Sequence, residues 1–173
     1  MSHSIHNKEI SMSKWSPNAQ MAGLKYSGII ALILSLHFLS LVVLEILEIY
    51  MPNNALLSQP WLVHLPLITV LLTCVVMLRY FIQLKKMKAG GWQSMFLILK
   101  DEYTLSIYRN GAAKSFLVII HLGMVFFHLS FRQGNDPTVM PFLTTQTMSA
   151  TLMFSAVLVF GLVVMRKLNE EED

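Results

Sequence analysis

The stretch YSGIIALILSLHFLSLVVLEILEIY, residues 26–50, is apolar over almost its whole length and holds no charged residue before Glu45. A helix rises about 1.5 Å per residue, so a helix of this length crosses the roughly 30 Å hydrocarbon core of a bilayer. Tyrosines stand at both of its ends, a placement that is common at membrane interfaces. The stretch therefore predicts a transmembrane helix.

Three further segments of the same kind follow, at about residues 61–81, 114–131 and 142–165. Hydrophobic residues make up 54% of the 173-residue chain and charged residues 13%, whereas ordinary soluble domains carry about 25% charged residues. We therefore expect an all-α membrane protein in which residues 24–168 form one domain with four transmembrane helices. A polar leader, residues 1–23, precedes this domain, and an acidic tail, residues 169–173, follows it.

The basic residues indicate how the spans are oriented. Nearly all Lys and Arg residues lie in the leader, in the connection at residues 84–113 and at the C-terminal end, while the other two connections hold only Arg132. Loops rich in Lys and Arg stay in the cytoplasm, so we expect both termini there, in an up-down-up-down bundle within a bacterial inner membrane. Membrane topology then explains the net charge of +3, and we expect the lipid bilayer as a partner but no nucleic acid.

The cytoplasmic loop at residues 84–113 is the longest connection. It contains AGGWQSMFLILK, residues 89–100, whose apolar run is too short to span a bilayer; it is expected to lie in the membrane surface or to dock under the bundle. The next stretch, KDEYTLSIYRNGAAKSF, is expected to extend the third helix into the cytoplasm, with Glu102 and Arg109 on one face. Asp101 and Glu102 then lie at the helix N-terminus, where the helix dipole favours anions.

The same stretch carries a resemblance to a known family. An acidic pair, Asp101 and Glu102, is followed by Arg109 and then by Ala112 and Ala113 at the entrance to a span. This pattern resembles one found in small, uncharacterised prokaryotic four-helix membrane proteins that are often encoded beside helix-turn-helix regulators. The resemblance implies the four-helix fold and no particular activity.

Ionisable residues inside spans are the candidates for chemistry, because burying them in a membrane costs free energy. Glu45, Glu48, His64 and His128 come from three spans and lie at similar heights near the outer boundary. Carboxylates and imidazoles together are typical ligands of zinc, manganese or iron, so these four residues are a candidate metal site. The favoured interpretation is that they mark where the helices leave the hydrocarbon and bond to water or to loop carbonyls. If Glu45 points at His128, a salt-bridged pair without a metal is a further alternative.

A second set of histidines suggests haem b. His121 and His128 are seven residues apart, so on a helix they stand above one another by roughly 10 Å and cannot clamp one iron between them. A six-coordinate haem needs a facing imidazole from another span, either His37 with His121 or His64 with His128. At most one haem fits this pattern. The favoured interpretation is that each histidine forms a hydrogen bond to a neighbouring helix, with no cofactor.

Motifs typical of nucleotide-binding proteins and hydrolases are absent from the sequence. The sequence has no Gly-rich phosphate loop, nucleophile elbow or HExxH motif, and its single cysteine, Cys74, cannot form an internal disulfide. Our leading hypothesis is a non-enzymatic accessory or regulatory subunit. Its loop residues Asp101, Glu102 and Arg109 would contact a membrane protein, a cytoplasmic protein or another copy of the chain. The alternatives are a haem- or metal-binding redox protein and a proton or ion pathway along His121, His37 and Glu45.

Overall fold

The computed structural model describes residues 15–53, 55–87, 97–133, 138 and 140–170. Within these ranges the chain forms four long α-helices and no β-strand. The helices are α1 (Pro17–Tyr50), α2 (Pro60–Lys86), α3 (Glu102–Gln133) and α4 (Thr145–Asn169), with a short 3-10 helix, Ala55–Ser58, between α1 and α2. Each of the four is long and apolar enough to cross a membrane, so the expected all-α class with four apolar helices is confirmed.

Three of the four helices, α1, α3 and α4, begin where a side chain caps them. Ser16 Oγ accepts from Ala19 N at 3.3 Å, and a proline follows at the first helical position, where its missing N–H costs nothing. Asp101 Oδ2 accepts from Thr104 N at 2.9 Å, and Thr144 Oγ1 accepts from Thr147 N at 3.0 Å. As a result, α1 includes the end of the expected polar leader. Likewise, α3 starts well before its span, as the expected extension of the third helix requires.

The four helices pack in the order α2, α1, α4, α3. The central pair is α1 and α4; α2 packs on the other side of α1, and α3 packs on the other side of α4. In the described part of the chain, α2 makes no extensive contact with α3 or α4. The outward faces of the two flanking helices are therefore open, and they carry Leu71, Leu78, Phe127 and Phe131, each more than half exposed. An apolar surface of this kind is what the hydrocarbon of a bilayer covers.

The packing differs between the two ends of the molecule. Large buried side chains concentrate where the start of α1, the end of α2, the start of α3 and the end of α4 meet: Trp15, Leu24, Tyr80, Leu84, Leu99, Ile107, Val164 and Leu168. Elsewhere along the helices the buried residues are mainly small ones, such as Ala31, Ser35, Thr147 and Ala156. Small residues let helix backbones approach closely, which is how helices associate in lipid. The end that carries the large side chains is called the clustered end below.

Candidate functional site

The clustered end contains a polar clamp between α1 and α3. Trp15 and Gln20 are each only 3% exposed. The indole N–H of Trp15 donates to Ile98 O at 2.7 Å. Gln20 Oε1 accepts from the backbone N–H groups of Lys100 at 2.6 Å and Asp101 at 2.9 Å, and its Nε2 donates to Trp15 O at 3.0 Å. These five residues are called the α1–α3 clamp, and in it Gln20 provides an acceptor for the N–H groups of Lys100 and Asp101, which precede the first residue of α3.

Leu97 extends the same docking arrangement. A Cβ atom built on Gly23 of α1 would lie 2.7 Å from Leu97 Cδ1, so the absence of a side chain at Gly23 is what admits Leu97. Leu99 is buried in the cluster. The end of the apolar loop segment therefore docks against α1. Of the two placements expected for this segment, this agrees with docking under the bundle. The rest of that segment, up to residue 96, lies outside the described residues.

The first turns of α3 present two different faces. Thr104, Ile107, Gly111 and Ser115 are buried. A Cβ atom on Gly111 would lie 3.1 Å from the ring of Phe160, so α3 and α4 approach closely here. The opposite face is polar and exposed, and it carries Glu102, Ser106 and Arg109.

The three expected partner-binding residues thus have different roles. Asp101 is half-buried and used as the N-cap of α3, so its carboxylate is already engaged. Glu102 and Arg109 are both exposed, and neither forms an ion pair with a described residue. These two side chains remain available to a partner.

Glu45 contacts α4 at the other end of the molecule. Thr144 Oγ1 donates to Glu45 Oε1 and also lies 3.0 Å from Thr147 Oγ1. The second carboxylate oxygen, Oε2, is buried and has no hydrogen-bond partner among the described residues. A buried oxygen without a donor costs free energy, and among the described residues Glu45 is the side chain that has such an oxygen. Glu48, one turn further on, is exposed.

His37 joins α1 to α2. Its Nδ1 lies 3.2 Å from Pro66 O and 3.1 Å from Thr69 Oγ1, and Thr69 is 2% exposed. A carbonyl oxygen can only accept, so the Nδ1 of His37 carries the hydrogen and Nε2 is the nitrogen that can accept a bond or bind a metal. This contact is the hydrogen bond to a neighbouring helix that the sequence favours for the histidines.

The other three histidines among the described residues, His64, His121 and His128, lie at exposed positions. His121 Nδ1 is 2.7 Å from Leu117 O of its own helix, which selects the same tautomer as in His37. His121 lines a groove with Val159 of α4, whereas His37 faces α2 on the opposite flank. Among the described contacts, none joins His37 to His121 or His64 to His128.

The expected metal site is spread out in the same way. Glu45 faces α4, while Glu48, His64 and His128 are exposed, and no three His, Cys, Asp or Glu side chains of the described residues are close enough to hold one ion. Haem and metal binding stay predictions.

Comparison with protein families, curated proteins and solved structures finds no match. The resemblance carried by Asp101, Glu102 and Arg109 therefore stays a prediction, and the role of the chain must be inferred from its geometry.

Sequence reasoning overlooked Trp15 and Gln20, and it did not pair Thr144 with Glu45. The hydrogen-bond partners that Trp15 and Gln20 have near the start of α3 are at least 80 residues away along the chain. The residues next to Trp15 and Gln20 in the sequence give no indication of these partners. One signal was present for the helix start: Ser16 followed by Pro17 is a typical N-cap and first position, which places Trp15 at the edge of a helix.

Proposed function

We propose that this chain is a multi-pass inner-membrane protein that acts as a non-enzymatic accessory or regulatory subunit. Its binding element would be the exposed face of the first turns of α3, centred on Glu102, Ser106 and Arg109. The supporting observation is that the opposite face of these turns is packed against α4 and held by the α1–α3 clamp. A polar helix face that is fixed in place loses little conformational entropy on binding, which favours recognition.

The proposed topology is up-down-up-down, with both termini in the cytoplasm. His37 of α1 meets Thr69 of α2, and nearer the start of α1 the ring of Tyr26 contacts that of Tyr80 in a tilted arrangement, at a centroid distance of 5.5 Å. Similarly, Glu45 meets the first residues of α4. These contacts support alternating helix directions. The basic residues on the clustered end support a cytoplasmic placement of that end.

Site-specific photo-crosslinking in membranes tests the proposed binding element. A photoreactive residue at Ser106 is expected to form a defined adduct, whereas one at Glu48, an exposed position near the other end of α1, is not. Combining the Ser106 probe with Glu102→Gln and Arg109→Gln is expected to remove the adduct while the chain stays folded. No adduct at residue 106, or an equal adduct at residue 48, would contradict the proposal.

A second candidate function is a proton or ion pathway, and Glu45 is the observation that favours it. An intramembrane carboxyl group with one oxygen bonded to a threonine, and the other without a partner among the described residues, is suited to taking up and releasing a cation or a proton. The hydroxyls of Thr144, Thr147 and Thr151 follow it along α4.

Flux into proteoliposomes distinguishes the two candidates. If the chain conducts, Glu45→Gln is expected to reduce proton or cation flux, while Glu48→Gln, an exposed carboxylate one turn away, leaves it unchanged. Flux that does not exceed that of empty liposomes removes this candidate and leaves the subunit proposal intact.

A further inference from the structure

Two grooves meet on the surface between α3 and α4. One has a volume of 330 Å³ and is lined by Lys114, Leu162, Val163, Arg166, Lys167 and Glu170. The other has a volume of 600 Å³ and is lined by Lys114, Leu117, Val118, His121, Leu122 and Val159. Lys114 lines both, so a polar groove continues into an apolar one. Together they are called the α3–α4 groove.

The polar part carries an excess of positive charge. Among the described residues that line it are three cations, Lys114, Arg166 and Lys167, and one carboxylate, that of Glu170. Glu170 accepts from Arg166 Nε at 2.9 Å and from Lys167 Nζ at 2.7 Å. The two Nη groups of Arg166 form no ion pair with a carboxylate of the described residues, and neither does Lys114. A guanidinium and an ammonium placed together are the donors that bind phosphate.

The apolar part extends along the helices from this charged level. From Lys114 to His121 the axis of α3 advances by roughly 10 Å. Leu117, which lines this part, is 54% exposed, so its side chain is accessible to a ligand. Beyond Lys114, which it shares with the polar part, the described lining of this part includes one polar residue, His121, whose Nδ1 is already bonded to Leu117 O. The apolar part therefore suits an alkyl chain.

We propose that the α3–α4 groove binds an anionic phospholipid, with its phosphate between Lys114 and Arg166 and one acyl chain along Leu117, Leu122 and Val159. A soluble anion would use the charges and leave the apolar part empty, while a neutral lipid would leave the excess charge unpaired. Basic pockets between transmembrane helices commonly hold anionic headgroups. This inference does not depend on the proposed subunit role.

Native mass spectrometry of the intact protein tests the proposal. The protein is released from nanodiscs that contain equal amounts of phosphatidylglycerol and phosphatidylcholine, and the retained lipid is counted. Phosphatidylglycerol is expected to be retained preferentially, and Lys114→Gln with Arg166→Gln is expected to weaken its retention at least about tenfold. The matched control is Arg79→Gln, which removes an exposed cation from a separate groove between α1 and α2 and is expected to change nothing.

Leu117→Trp provides a second variant, because it fills the apolar part and leaves every charge in place. It is expected to lower phosphatidylglycerol retention while the helical circular dichroism stays unchanged. Equal retention of both lipids, or an equal loss in Arg79→Gln, would overturn the proposal. So would displacement of the lipid by glycerol phosphate, which would indicate a soluble anion site, or a lipid-free dimer, which would indicate that a second copy covers the groove.

Discussion

Gln20 satisfies three backbone groups at once, although it is a single neutral side chain. We expect Gln20→Ala to lower the free energy of unfolding by about 2 to 4 kcal/mol, because three hydrogen bonds of a buried side chain, to Lys100 N, Asp101 N and Trp15 O, would be lost. The measurement is unfolding in detergent followed by circular dichroism. Asn18→Ala, an exposed change in the same helix, is the control and is expected to cost less than about 0.5 kcal/mol. Equal effects of the two changes would show that the clamp contributes no stability.

His37 and Thr69 allow the contact between α1 and α2 to be measured directly. We expect a double-mutant cycle with His37→Ala and Thr69→Val to give a coupling energy of about 0.5 to 1.7 kcal/mol, the range typical of hydrogen bonds between membrane helices. Unfolding of the four variants in mixed micelles supplies the measurement. Additive single effects would mean that the imidazole is held by Pro66 O alone or by water.

At the residue scale, the sequence identified some side chains and could not identify their partners. Glu45 and His37 can be identified from the sequence, because an ionisable group inside an apolar segment costs free energy in a membrane whichever way its side chain is oriented. That Glu45 would meet Thr144 depends on how two helices are rotated, and no local feature encodes that rotation. Gln20 lies in a polar segment and looks like any other solvated residue, so its burial was beyond prediction.

At the element scale, two glycines provide a matched pair for testing helix packing. A Cβ atom at Gly161 of α4 would lie 2.8 Å from Leu32 Cγ and 3.1 Å from Gly28 O, whereas one at Gly123 of α3 would meet nothing within 4 Å. We expect Gly161→Ala to destabilise the protein by about 1 to 3 kcal/mol through overpacking. Gly123→Ala is expected to stabilise it by up to about 1 kcal/mol, since Ala favours helix.

Thermal unfolding of the two variants in one detergent measures both effects. The difference in sign is the decisive result. If Gly161→Ala were neutral, α1 and α4 would be able to separate at that point without cost, contrary to the close approach of their backbones.

The end of α4 has a predicted pH dependence. Hydrogen bonds from Lys167 and then Arg166 lower the pKa of Glu170 below its ordinary value. A lowered pKa in the folded state means that this contribution to stability is fully present above the unfolded value of about 4.3 and is lost as the pH falls through the folded value. We therefore expect amide exchange at Asn169 and Glu170 to accelerate in acid, beyond its intrinsic pH dependence, when followed by NMR. Glu170→Gln should show no such acid step; a step that persists in this variant would have another origin.

The helices themselves were predictable, and their arrangement was not. Hydropathy is a local property, so the four apolar segments reveal four helices directly. The order α2, α1, α4, α3 depends on which face of each helix is buried. Because α1 is apolar on nearly every side, its sequence shows no apolar face that would predict which side packs against another helix. The start of α3 near Glu102 could be predicted, because acidic residues favour the first turn of a helix and this preference depends only on residues close together in the sequence.

At the scale of the whole molecule, the proposed topology predicts opposite labelling of two exposed carboxylate positions. With the single native cysteine removed by Cys74→Ala, we expect Glu102→Cys to react with a membrane-impermeant maleimide only from the cytoplasmic side. Glu48→Cys is expected to react only from the outside, because it lies at the far end of α1 from the clustered end. Labelling of both positions from one side would exclude an up-down arrangement of the spans.

The central pairing of α1 with α4 also determines when the molecule can assemble during its biosynthesis. The ribosome produces α1 before α4, so the surface of α1 around Gly28 has no α4 to pack against until nearly all of the four-helix region has been synthesised. In water, such a wait would expose an apolar surface to aggregation. Lipid tails cover it at little cost, and the early pairing of α1 with α2 holds the nascent hairpin in place. A nascent chain that stops before α4 would thus insert into the membrane without completing its fold.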